Sequence, residues 1–125
     1  MQVLQIKPME SVSVDQDRLG ALYSQLGAAG AEDVVCRALE ELALRMSHCE
    51  MLYREGHWDE LRKNTRSLIA IADQIGMLAL SHVASDVTAC IDQGNGIAIA
   101  ATLSRLMRVG DISLTAVWDI QDITI

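Results

Sequence analysis

The chain has no phenylalanine, and aromatic residues make up only 3% of it. Its core must therefore be filled by Leu, Ile, Val, Met and Ala, the usual packing set of helical bundles. Proline occurs once, at Pro8, so nothing after it breaks a helix through a missing N–H or a ring clash. Cys36, Cys49 and Cys90 are odd in number and far apart, and no Cys-x-x-Cys occurs. This argues against a disulfide framework. Reduced thiols, packed as small core or boundary residues of a cytoplasmic protein, are expected instead.

Basic residues are scarce. Ten Lys and Arg face seventeen Asp and Glu, for a net charge of −7. A nucleic-acid surface needs clustered cations, and so does binding to an anionic membrane, so neither is expected as a partner. The longest apolar runs, such as Ile97 to Ala101, fall far short of the ~20 residues of a membrane-spanning helix. The first residues, MQVLQIKPME, lack the basic and long apolar regions of a signal peptide.

Half of the 125 residues are hydrophobic, which fits one domain able to bury roughly two thirds of its unfolded surface. Residues 1–12 read as an N-terminal arm, and 13–125 as a single helical domain. Ser13 is a candidate N-cap with Gln16 at capping-box spacing. A short helix is expected from there to about Gln25, with Leu19, Leu22 and Leu26 on one side and Gly27 to Gly30 closing it. A second helix is expected from Ala31 to Glu55. Its residues Val35, Leu39, Leu42, Met46, Cys49 and Tyr53 alternate four- and three-residue steps, the mark of a bundle seam. Gly56 ends it.

Asp59 lies near the start of the third helix, in which Leu61, Thr65, Leu68, Ala72 and Ile75 repeat the stepping. Gly76 ends that helix or marks a close crossing. Met77, Leu80, Ala84, Val87 and Ile91 form the next seam, closed by the turn Gly94-Asn95-Gly96. A last helix starts near Ile97 and carries Leu103, Leu106, Leu114 and Val117, with Gly110-Asp111 as a kink or a split. Short turns between amphipathic helices make neighbours antiparallel. The expected fold is all-α: an up-and-down antiparallel four-helix bundle with a short additional N-terminal helix.

The third helix has a polar stripe opposite its core face. At ~100° per residue, Asp59, Arg62, Lys63, Arg66, Ala70 and Asp73 turn away from Leu61, Leu68 and Ala72. The bland reading is a solvated face. The sharper reading is a docking surface for a protein partner, because cations gather here in an acidic chain and Ala70 leaves a shallow spot one turn after Arg66.

The stretch LRKNTRSLIAIADQIG, with LEELALRMSHCEMLYREGHWDE before it and the helix from Met77 to Gln93 after it, resembles a histidine-containing phosphotransfer (Hpt) domain over about Ala31 to Val117. That family has a four-helix bundle whose central helix exposes a phosphate-carrying histidine in the motif His-x-x-Lys-Gly, with a further glycine ending the helix. Counting back from Gly76 places Arg66 at the histidine position, Ile69 at the lysine position and Ala70 at the first glycine position. The resemblance thus implies a degenerate domain. A guanidinium, protonated at all relevant pH, cannot take a phosphoryl group as an imidazole does, and Ile69 cannot neutralise one. It implies a signalling module, not an enzyme, whose partner is a response-regulator receiver domain or a histidine kinase.

Two other readings stay open. One is active phosphotransfer through another histidine, His57 or His82; His48, the third, also lacks Lys-Gly after it. The other is a structural bundle that self-associates, for example as a homodimer, through an apolar face such as Ile97 to Leu106. His82 and Asp86, one turn apart, make only half of a metal site, and no further ligands match them. His48 and Cys49 are adjacent, point ~100° apart on a helix, and do not form a nucleophile–base pair. No cofactor, nucleotide or metal motif is present.

Overall fold

The computed structural model describes residues 14–124, with side chains through Val117. It contains α1 (Gln16–Glu55), α2 (Trp58–Gln74), α3 (Leu78–Gln93) and α4 (Gly96–Thr124), and is all-α. Each helix packs against its chain neighbours, and α4 closes back on α1 through the slightest of the four seams. Among the described residues, extended backbone pairs once, where Val14 bridges Met77.

The expected arm, residues 1–12, and the expected cap Ser13 lie outside the described residues. The cap that the structure shows is Asp15. Its carboxylate accepts the backbone N–H groups of Asp17 at 3.0 Å and Arg18 at 3.2 Å. An acid there satisfies two orphan donors and meets the positive end of the helix dipole.

The chain does not stop between Gly27 and Gly30 as the glycines suggested. Only Gly27 leaves helical geometry, at φ 75° and ψ 168°, a conformation open to glycine alone. Residues 28–30 are already helical, and Leu26 is exposed where a core position was expected. Likewise, α4 runs unbroken through Gly110-Asp111. Gly110 is buried against Met46, and an added Cβ would overlap the end of that flexible side chain, which would have to shift. It lets α1 and α4 approach closely and does not end a helix.

The first three helices end alike. Gly56, Gly76 and Gly94 sit at positive φ, and the two residues' N–H groups after each helix fold back onto its last carbonyls. At Gly76 the N–H reaches the Asp73 carbonyl at 3.3 Å, and Met77 N–H reaches Ala72 at 2.9 Å. The Gly76 carbonyl then accepts the Asp15 N–H at 2.8 Å, which fastens the start of α1 to the α2–α3 turn. Asn95 caps α4 by accepting the Ala98 N–H at 3.1 Å.

One core gathers Val35, Leu39, Leu42, Met46, Cys49 and Leu52 of α1, Leu61, Leu68 and Ala72 of α2, and Leu80, Val83, Ala84 and Val87 of α3. From α4 come Ile99, Leu103, Leu106, Val109 and Val117. Burying each large aliphatic side chain stabilises the fold by roughly 1.5–3 kcal/mol. Among the described residues, no helix is long and apolar enough to cross a membrane.

Candidate functional site

Helix α2 presents its core face through Leu61, Thr65, Leu68 and Ala72, all buried. Opposite that face, Asp59, Lys63, Arg66 and Ala70 are exposed, while Arg62 and Asp73 are half-buried. The polar stripe does not form one cationic cluster. Arg62 turns toward α3 and binds Asp92 with a forked pair, Nε to Oδ1 at 2.6 Å and Nη2 to Oδ2 at 3.2 Å. Its charge is thereby compensated within the protein. Lys63 turns the other way, into a hollow between α1 and α2 that it shares with Glu60, Arg45, His48 and Ser67.

Arg66 stands one turn after Arg62 and makes no ion pair among the described residues. It is close enough to Asp92 to be felt there. Hydrogen bonding from Arg62 holds the Asp92 carboxyl below the usual carboxylate range, and the charges of Arg62 and Arg66 add to that effect. Ala70 leaves the surface low one turn beyond Arg66. Ile69 and Gly76 have structural roles. Ile69 is half-buried and packs on the core, and Gly76 is buried at the turn against Asp15.

No histidine occurs within α2. His48, His57 and His82 are all exposed elsewhere. His57 takes the N-cap position of α2 without a capping hydrogen bond, and its Nε2 lies 3.3 Å from Glu55 Oε1. Asp86, the neighbour of His82 by helical spacing, lies 4.0 Å from Arg105. Among the described residues, no three His, Cys, Asp or Glu side chains gather as a metal site.

Two residues of this region escaped the sequence pattern. Asp92 lies on another helix, thirty positions from Arg62, and no local spacing announces it. Asn64 is buried beside the α2 seam. Its amide donates to the Arg45 carbonyl at 2.7 Å and to Cys49 Sγ at 3.1 Å, and its oxygen accepts Arg45 Nη1 at 3.0 Å. Burial pushes the Cys49 thiol up to about 11, against a partial opposing effect of the Asn64 hydrogen bond. Cys49 is thus an inert thiol inside the α1–α2 contact.

No family model, curated protein or solved structure matches this chain.

Proposed function

We propose that the chain is a non-catalytic, Hpt-like signalling module. It binds a response-regulator receiver domain, or a histidine kinase, in a two-component phosphorelay in the cytoplasm. One observation carries this reading: Arg66 is exposed midway along α2, with flat Ala70 one turn on, and makes no ion pair among the described residues. A guanidinium presented this way suits the carboxylates of a receiver's phosphorylation pocket. In this role the four helices form an up-and-down antiparallel bundle, as connections of two or three residues favour. The segment ahead of Gly27 serves as the short additional N-terminal helix.

The test is binding of purified receiver and kinase domains to the wild type and to two variants. Arg66→Glu reverses the charge, and Ala70→Trp fills the low spot. Both are expected to weaken a bound receiver about tenfold or more, equivalent to ~1.4 kcal/mol. If neither changes the affinity of any bound receiver, the face is not a docking site.

The exposure of His57 and His82 favours a second reading, active phosphotransfer through one of them. Incubation with a phosphorylated kinase or receiver separates the two. The proposed module takes up no acid-labile label. A label lost on His57→Gln or His82→Gln alone would establish the second reading and remove the first.

A further inference from the structure

We propose that the start of α1 is a strap with two positions, hinged at Gly27. In the closed position, residues 14–26 cover the α2–α3 turn. In the open position they swing out as a straight continuation of the helix. The structure shows the closed position. The Asp15 N–H is bound to the Gly76 carbonyl at 2.8 Å, Val14 bridges Met77, and Leu19 enters the core at 5% exposure. Of residues 16–30 only Leu19 is buried, and Val14 and Leu22 pack on the core from half-buried positions.

Two glycines fit the closed position for different reasons. Gly27 is the one non-helical residue inside the 40-residue helix. The chain is helical on both sides of it, so restoring helical angles at this residue alone makes α1 a single rod. A rotation that large swings Asp15, twelve residues back, off Gly76. Gly30 has no positive φ and is itself helical. The bend brings Leu26 over it: a Cβ added at Gly30 would stand 3.1 Å from the Leu26 Cβ. Positions four apart on a regular helix keep their Cβ atoms ~5–6 Å apart, so this crowding belongs to the bend. A straight helix needs neither glycine, and both weaken it relative to alanine. Ala28 and Ala29, between them, favour helix. The hinge thus sets a glycine-dependent bend, held by the Leu19 anchor, against a straight helix. Opening uncovers Gly76 and Met77, at the turn where α2 ends.

The strap does not depend on the receiver reading. The experiment is small-angle X-ray scattering on the full chain, with circular dichroism on the same samples. A straight α1 of 40 residues is ~60 Å long, whereas its part from Ala31 onward is ~38 Å. Combining Gly27→Ala with Gly30→Ala penalises the bend twice and favours the rod. The double variant is expected to exceed the wild type in maximum dimension by ~15–20 Å, with a helical signal at least as strong. A folded double variant with wild-type dimensions overturns the proposal. So does an elongated one whose helical signal falls by the share of residues 16–26, since the strap would then melt and not straighten. Should the double variant fail to fold, Leu19→Gln takes its place. It removes the apolar anchor, keeps both glycines and should lengthen the molecule in the same way; wild-type dimensions there overturn the proposal.

Discussion

Arg62 and Asp92 lock α2 to α3 through a forked ion pair, at 2.6 and 3.2 Å, directly beside Arg66. The pair orders the face on which the proposed docking depends, and it has a pH signature. Folding holds the Asp92 carboxyl below its ordinary value of 3.8. A group lowered in this way stabilises the fold above its unfolded pKa and loses that contribution as pH falls through its folded value. The stability difference between wild type and Asp92→Asn should therefore be present at neutral pH and close in acid below the ordinary carboxylate range. Because the pair is solvent-exposed, the difference should be small. Carboxyl carbon NMR gives the direct measurement: in Arg62→Gln the Asp92 midpoint should rise toward 3.8, and an unmoved midpoint would show that the pair does not form in solution.

Asn64 and Cys49 lead to a second expectation, on reactivity and stability together. The Cys49 thiol is fully buried and pushed up to about 11, so near pH 8 it is protonated and shielded. Cys36 and Cys90 are half-buried. In a thiol-labelling time course on the native protein, these two should react well ahead of Cys49, which should react only on unfolding. Because folding raises this pKa, the associated stability is present below the unfolded value of 9.0 and falls as pH rises beyond it. Asn64→Ala should cost about 1–3 kcal/mol in urea unfolding, since it strips Arg45 of an acceptor and leaves a gap at the α1–α2 contact.

The stepping of apolar residues was enough to locate most of the core. Leu42, Met46, Leu68, Ala72, Leu80, Val87 and Leu106 are all buried on the expected faces. A period of three and four residues reports burial directly, because one side of each helix must leave water. Glycine was harder to read. Gly56, Gly76 and Gly94 end helices through positive φ, whereas Gly110 sits inside one, packed against the end of the Met46 side chain. Composition alone does not separate conformational need from steric need. On the α2 face, the outward set was legible from helical angle, but its charge state was not. Asp92 and Lys63's hollow come from neighbouring helices, and a pattern read along one helix contains no information about them.

Gly76 offers a way to weigh those two needs. Its φ of 76° strains any residue with a Cβ, at about 1–3 kcal/mol. A Cβ would also stand 2.9 Å from the Asp15 carbonyl oxygen, against a backbone that cannot simply rotate away. Gly94 has nearly the same backbone, at φ 67°, with no atom within 4 Å of the added carbon. Gly76→Ala should therefore destabilise the protein more than Gly94→Ala, by roughly 1 kcal/mol or more. The excess isolates the contact that ties the start of α1 to the α2–α3 turn. Equal losses for the two variants in denaturant unfolding would mean that this attachment gives way without cost.

Thr65 and Thr88 form a polar contact at the α2–α3 seam, with their hydroxyl oxygens 2.8 Å apart. Thr65 also lies 3.0 Å from the Arg62 carbonyl, and Thr88 lies 3.0 Å from the Ala84 carbonyl. Each hydroxyl carries one proton, so only two of these three hydrogen bonds form at a time. The hydroxyl that donates across to the other helix thus gives up its hydrogen bond to its own helix carbonyl. Thr65→Val should cost about 1 kcal/mol, because it leaves the Thr88 hydroxyl with one partner fewer at a seam where Thr65 is fully buried. Replacing both by valine removes donor and acceptor together, keeps the shape, and should cost less than the sum of the single changes. A double-mutant cycle by urea denaturation measures the coupling, expected at about 0.5–1.5 kcal/mol. Strict additivity would mean that the two hydroxyls are satisfied by their own helices and that apolar packing alone holds α2 to α3 at this level.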